Sequence, residues 1–156
     1  MYVIDTSSLV ETWLRGFPPD VAPGVWERLD LLIAAGRLIA PDEVLNELER
    51  KADDLHAWAA DRAGMFVELE DDLIEATRKI VNTPEFQGMM KARPNRNSAD
   101  PFVIALAQLR GYTVVSEERD DGPTKCKIPH VCRRLDVPCI DFLGLIRAEG
   151  WRFRVE

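Results

Sequence analysis

The stretch Tyr2-Val3-Ile4-Asp5-Thr6-Ser7-Ser8-Leu9 decides the fold class and supplies the first candidate site residue. Its first three residues are apolar and predict a short buried strand. Thr6 or Ser7 would then cap a helix that runs over residues 6–14. Asp5 falls where the strand ends. Because ligands of open parallel sheets bind beyond the carboxyl ends of the strands, Asp5 is a candidate site residue.

Strand and helix patterns alternate along the rest of the chain. Further strands are predicted at 37–40, 65–69, 112–116 and 137–140, and amphipathic or apolar helical patterns at 25–35, 41–48, 53–63, 71–81, 98–110, 128–135 and 141–148. This alternation predicts an α/β fold, a three-layer α/β/α sandwich with a central parallel sheet. The length is that of one domain, and no repeat or linker divides the chain, so we expect a single domain over residues 1–156.

Three more carboxylates occupy positions comparable to that of Asp5. Glu118 follows the predicted strand 112–116, Glu47 borders the apolar face of a helix, and Asp100 opens the apolar helix 98–110. Taken singly, each could be an ordinary turn, cap or surface residue. Together they could not all remain ionised without a cation. Carboxylate oxygens are hard ligands, and they indicate Mg²⁺ or Mn²⁺.

Four segments carry a family resemblance, in the same order and spacing. They resemble PIN-domain nucleases, and most nearly the VapC-like toxins of toxin–antitoxin pairs. The resemblance extends over residues 1–142, and its four segments are Val3–Leu9, Glu43–Leu48, Ser98–Ala107 and Val114–Glu118. The chain departs from the family pattern in having Glu rather than Asp at 118, Pro101 after the third acid, a long insertion between Asp5 and Glu47, and an added carboxyl-terminal segment.

The resemblance implies roles for individual residues. Asp5 would be the central metal ligand, with Asp100 and Glu118 beside it, while Glu47 would bind a second ion or a metal-bound water. Ser7 and Ser116 would orient carboxylates or a metal-bound water. The neighbours Glu117, Asp120 and Asp121 remain alternatives to Glu118 as the fourth acid.

The implied activity is that of a Mg²⁺- or Mn²⁺-dependent endoribonuclease, acting as the toxin of a toxin–antitoxin pair. Its partners would be RNA and a cognate antitoxin protein, with a homodimer as an option. Two other classes stay open: a non-catalytic module with the same fold, and a phosphatase with Asp5 as its nucleophile. Such phosphatases usually carry a second Asp two residues on, where this chain has Ser7.

The net charge and the distribution of basic residues limit how the chain could bind nucleic acid. The net charge of −7 argues against nucleic-acid binding by bulk electrostatics. A local basic group, Lys91, Arg93 and Arg96, stands just before Asp100 in the least regular part of the chain, and these residues are candidates for phosphate contacts.

Two further expectations come from what the sequence contains. No apolar stretch approaches the roughly 20 residues that span a membrane, and Met1 leads directly into a strand, so we expect a cytoplasmic protein with no membrane partner. Three cysteines without a CxxC pair argue against a zinc site and favour free thiols in a reducing compartment.

Overall fold

The computed structural model describes residues 1–91 and 98–154. Five parallel strands form its sheet in the order β3-β2-β1-β4-β5. The strands are β1 (Tyr2–Ile4), β2 (Leu38–Pro41), β3 (Phe66–Val67), β4 (Thr113–Val115) and β5 (Cys139–Ile140). The helices are α1 (Thr6–Glu11), α2 (Pro23–Ala34), α3 (Asp42–Lys51), α4 (Asp53–Ala60), α5 (Asp71–Val81), α6 (Gln87–Lys91), α7 (Asp100–Arg110), α8 (Ile128–Arg134) and α9 (Phe142–Ala148).

Strand β1 occupies the centre of the sheet. Its register places Val3 between Ile39 of β2 and Val114 of β4. Both Val3 and Ile4 are fully buried, as expected for a parallel strand that is covered on both faces. The predicted central parallel sheet is confirmed.

Helices cover both faces of the sheet. Right-handed crossovers place the helices between β1 and β3 on one face and those between β3 and β5 on the other. Helix α7 packs against β1, β2 and β4, and α5 packs on α7. On the opposite face α2 packs against β2, and Phe17 contacts Phe142 of α9, with ring centroids 6.1 Å apart. The predicted three-layer α/β/α arrangement is therefore confirmed, with α7 central as expected from its apolar sequence.

The start of the first helix differs from the prediction. Asp5, rather than Thr6 or Ser7, is the residue before α1, and its side chain makes no capping bond. The reason is that the Asp5 carboxylate already accepts hydrogen bonds from Ser7 and Ser116. Helix α1 ends at Glu11, before the predicted end at residue 14, and Thr12–Gly16 follow it as a π-helical turn.

The segment before residue 92 is more regular than the sequence indicates. Pro84–Phe86 form a 3-10 turn that leads into α6, and Phe86 and Met89 are buried. A Cβ added to Gly88 would lie only 2.0 Å from the carbonyl oxygen of Thr124. This close approach requires glycine and fixes α6 against the loop that follows Glu118.

Among the described residues, no helix is both long enough and apolar enough to cross a membrane.

Candidate metal centre

Three of the four predicted carboxylates meet at one edge of the sheet. Asp5 follows β1, Glu118 follows the neighbouring strand β4, and Asp100 is the first residue of α7. One oxygen from each side chain lies within 4.8 Å of the others. Adjacent parallel strands end at the same edge, and this brings Asp5 and Glu118 together. We give Asp5, Asp100 and Glu118 the name metal centre because this group of carboxylates could hold a metal ion.

Burial and charge together raise the proton affinity of Asp5. The side chain is 2% exposed. The pKa of Asp5 is raised from 3.8 to about 6, chiefly by loss of solvation, and the charges of Glu118 and Glu47 act in the same direction. Hydrogen bonds from Ser7 and Ser116 oppose the rise because they stabilise the ionised form. A divalent cation would relieve the same repulsion, and the all-carboxylate donor set suits Mg²⁺ or Mn²⁺.

Two serines hold the Asp5 carboxylate in place. The Ser7 hydroxyl donates to Asp5 Oδ2 at 2.7 Å, and the Ser116 hydroxyl donates to the same oxygen at 3.1 Å. The serine oxygens also accept from the backbone: Ser7 from the Glu117 N–H at 3.1 Å, and Ser116 from the Glu118 N–H at 3.2 Å. The serines thus connect the end of β1 to the loop that carries Glu118.

Glu47 lies beside the metal centre and contacts the start of α7. It is 5% exposed. One carboxylate oxygen accepts from the Ala99 N–H at 2.8 Å, and the other lies 3.5 Å from Lys51 Nζ. The hydrogen bond ties α3 to the residue before α7, next to Asp100, and the expected role of Glu47 toward a second ion or a metal-bound water stays a prediction. It is not part of the three-carboxylate group formed by the described residues.

The acidic loop after β4 contributes Glu118 and not its neighbours. Glu118 Oε2 accepts from the Ile128 N–H at the start of α8, at 3.0 Å. Glu117 accepts from the Phe142 N–H at 2.7 Å, at the start of α9. Asp120 pairs with Arg133 and Asp121 with Lys127. Asp120 and Asp121 are thus held in ion pairs, and neither belongs to the three-carboxylate group found among the described residues.

A polar cleft of about 420 Å³ opens beside Glu118 and contains residues that the sequence analysis does not single out. Its walls are formed by Ser7, Glu11, Glu117, Glu118, Arg119 and Asp141. Glu11 follows Ser7 by four positions and therefore shares its helix face, a spacing that could have identified it. Asp141 comes from a loop after β5, and only the strand order brings it here.

A family model matches the chain over almost its whole length. The model described as domain of unknown function (DUF4411) matches residues 2–153. The chain belongs to the DUF4411 family. A comparison with curated proteins found no match.

Among solved structures, this DUF4411 chain is similar to one described as the crystal structure of FitAcB from Neisseria gonorrhoeae. The two share 19% sequence identity over 90% of this chain and 96% of that chain, with a TM-score of 0.47. The function of the DUF4411 chain has to be inferred from its own residues.

The predicted basic patch lies largely outside the described residues. Arg93 and Arg96 fall in the gap between residues 91 and 98, and Lys91 is placed only by its position at the end of α6. Their contact with phosphate stays a prediction.

The phosphatase alternative receives no support from the site. A nucleophilic carboxylate must reach its substrate, whereas Asp5 is almost fully buried and its Oδ2 accepts two serine hydroxyls. Ser7, which stands where a second Asp is expected, is one of those donors.

Proposed function

We propose that this chain is a Mg²⁺- or Mn²⁺-dependent endoribonuclease that hydrolyses RNA phosphodiester bonds. The observation that carries the proposal is the convergence of Asp5, Asp100 and Glu118, each buried or half-buried, at the carboxyl edge of the two central strands. The motif resemblance to PIN-domain nucleases supports the same reaction.

Each residue of the site has a separate task. Asp5, Asp100 and Glu118 would hold the ion. Ser7 and Ser116 fix the orientation of the Asp5 carboxylate by donating hydrogen bonds to its Oδ2. Glu47 holds the first turn of α7 through the Ala99 N–H and so positions Asp100. A bound ion would supply stabilisation of charge on phosphate oxygens and a lowered pKa for an attacking water.

The negative charge around the site means that a phosphodiester substrate needs cations in order to bind there. Glu11, Glu117 and Asp141 make the adjoining cleft acidic, and Arg119 is the basic residue among its lining residues. A phosphodiester would be repelled there without a bound ion. We therefore propose that the ion and Arg119, together with Lys91, Arg93 and Arg96, offset the phosphate charge.

The biological role that fits this activity is that of a toxin held silent by a cognate antitoxin. The support for it is the resemblance of the four segments to VapC-like toxins. The proposal also includes a cytoplasmic location, which the three free cysteines support because thiols stay reduced there.

The test is metal-dependent cleavage by the purified protein. We expect cleavage of single-stranded or structured RNA, tRNA included, with Mg²⁺ or Mn²⁺, none in EDTA, and none by the Asp5→Asn variant. A panel of RNAs is needed because such toxins can be narrow in target. Cleavage that persists in EDTA and in Asp5→Asn would refute the proposal. Growth arrest on expression, lost in Asp5→Asn, tests the toxin role in cells.

A further inference from the structure

A second cavity lies behind Asp100, between α3 and α5. It has a volume of about 690 Å³, within the usual range for small-molecule sites. Glu43, Asn46 and Arg50 of α3 form one wall, at the i, i+3 and i+7 positions of one helix face. The opposite wall contains Thr77, Pro101 and Phe102. We call it the α3/α5 cavity.

The cavity adjoins the metal centre through two short stretches of chain. Ser98 lines it, and Asp100 follows two residues later. On the other wall Asn46 is directly followed by Glu47, which binds the Ala99 N–H. A nucleotide with its phosphate at the metal centre would therefore have its base within reach of this cavity.

Two buried polar atoms of side chains that line the cavity have no hydrogen-bond partner among residues 1–91 and 98–154. They are Glu43 Oε2 and Thr77 Oγ1, and the Thr77 residue is only 5% exposed. Leaving such groups unpaired is unfavourable by about 1–3 kcal/mol each. Both atoms are closed off from solvent, but Glu43 and Thr77 line the cavity, so a side-chain rotation would bring the atoms to a ligand. A ligand that hydrogen-bonds to them would remove that penalty, whereas a purely apolar side chain from a partner protein would not.

Resting on the proposed ribonuclease function, we propose that the α3/α5 cavity binds one RNA base next to the scissile phosphate, with guanine as the preferred base. The Watson–Crick edge of guanine carries two adjacent N–H donors beside a carbonyl acceptor. The donors suit the Glu43 carboxylate, and the carbonyl suits a hydroxyl or amide donor, as on Thr77 or Asn46. Phe102 supplies a ring on which the base can stack.

The other bases match these groups less well. Adenine and cytosine place one amino donor next to a ring-nitrogen acceptor, and that acceptor would face a carboxylate oxygen. Uracil has a single N–H between two carbonyls. We therefore expect discrimination of about tenfold or more in favour of guanine, which is the scale of one good base contact.

The first experiment measures binding without catalysis. GMP, AMP, CMP and UMP are titrated into the full chain in EDTA by calorimetry. We expect GMP to bind about tenfold tighter than the others, and both Glu43→Gln and Thr77→Val to weaken GMP binding by about tenfold. Glu75→Gln is the matched control, because Glu75 is an exposed carboxylate of α5 whose partner is Arg78. Equal affinity for the four nucleotides, or GMP binding unchanged in both cavity variants, would overturn the inference.

The second experiment maps cleavage sites in a random RNA pool. We expect guanine to be enriched at one position beside the cleaved bond, and the enrichment to disappear in Glu43→Gln while Mg²⁺-dependent cleavage remains. Cleavage with no base preference would rule out the base site but would still support the nuclease activity. GMP binding that depends on Glu43, in a protein that cleaves no RNA, would remove the nuclease and leave a nucleotide site. Loss of antitoxin binding in Glu43→Gln without any change in nucleotide binding would assign the cavity to a protein partner and overturn the base site.

Discussion

The metal centre and the α3/α5 cavity both border the start of α7. They differ in whether their buried polar groups are hydrogen-bonded. In the metal centre, Asp5 accepts two serine hydroxyls. In the cavity, Glu43 Oε2 and Thr77 Oγ1 are buried and have no partner in the part of the chain that the structure describes. The first region is organised in advance around negative charge, as a cation site requires. The second leaves its hydrogen-bonding capacity for a ligand to complete.

The largest expected effect concerns the metal centre. Asp100→Asn removes one carboxylate charge at constant volume, and we expect the rate of metal-dependent RNA cleavage to fall about a thousandfold or more. Single-turnover cleavage with saturating Mg²⁺ is the measurement. Glu75→Gln, which removes an exposed charge, should leave the rate unchanged. A rate within tenfold of wild type would show that Asp100 does not hold the ion.

A smaller effect is expected in the stability of the metal-free protein. The pKa of Asp5 is 3.8 in the unfolded chain and about 6 in the fold, a difference of about 3 kcal/mol. Below pH 3.8 both states are protonated and no penalty exists. As the pH rises toward 6, the unfolded chain releases its proton first, so the folded state loses stability.

Asp5→Asn lacks this penalty, which gives the measurement. In EDTA we expect the variant and the wild type to be equally stable near pH 3.5, and the variant to be more stable by about 3 kcal/mol at pH 7.5. Denaturant unfolding at both pH values checks this. Added Mg²⁺ should stabilise the wild type and leave Asp5→Asn unchanged. Equal stability of the two proteins at both pH values would mean that Asp5 is not under the repulsion described above.

The two regions also differ in how far the sequence could predict them. Asp5 and Glu118 could be predicted because both follow apolar strands, and adjacent parallel strands end at one edge. The contact between Glu47 and Ala99 joins residues 52 positions apart and depends on how α3 packs against α7, which helical periodicity does not encode. Thr77 fits the apolar face of α5 like its neighbours, and only the packed structure shows that no described residue bonds its hydroxyl. The cavity therefore has no signal in the sequence.

The serines around Asp5 should have an effect of intermediate size. Ser7→Ala removes the 2.7 Å hydrogen bond to Asp5 Oδ2, which raises the pKa of Asp5 further and leaves the ligand less well oriented. We expect Mg²⁺ affinity to fall about tenfold, the scale of residues that orient metal ligands. Excess Mg²⁺ should restore most of the cleavage rate. Ser8→Ala is the control, because the Ser8 hydroxyl lies 3.4 Å from Glu117 instead of Asp5. Equal Mg²⁺ affinity in Ser7→Ala and Ser8→Ala would contradict an orienting role.

The smallest effect separates the hydroxyl of Thr77 from its methyl group. Thr77→Val removes only the unpartnered hydroxyl, so the free energy of unfolding without ligand should stay the same or rise by up to about 1 kcal/mol. Thr77→Ser keeps the hydroxyl but removes a buried methyl group, and it should lower the free energy of unfolding by about 1 kcal/mol. Denaturant unfolding of both variants in the absence of nucleotide tests the pair. If Thr77→Val were instead the more destabilised variant, the hydroxyl would have a structural partner in the folded chain. The Thr77 hydroxyl would then not be available to a ligand, and the cavity would not differ from the metal centre at this residue.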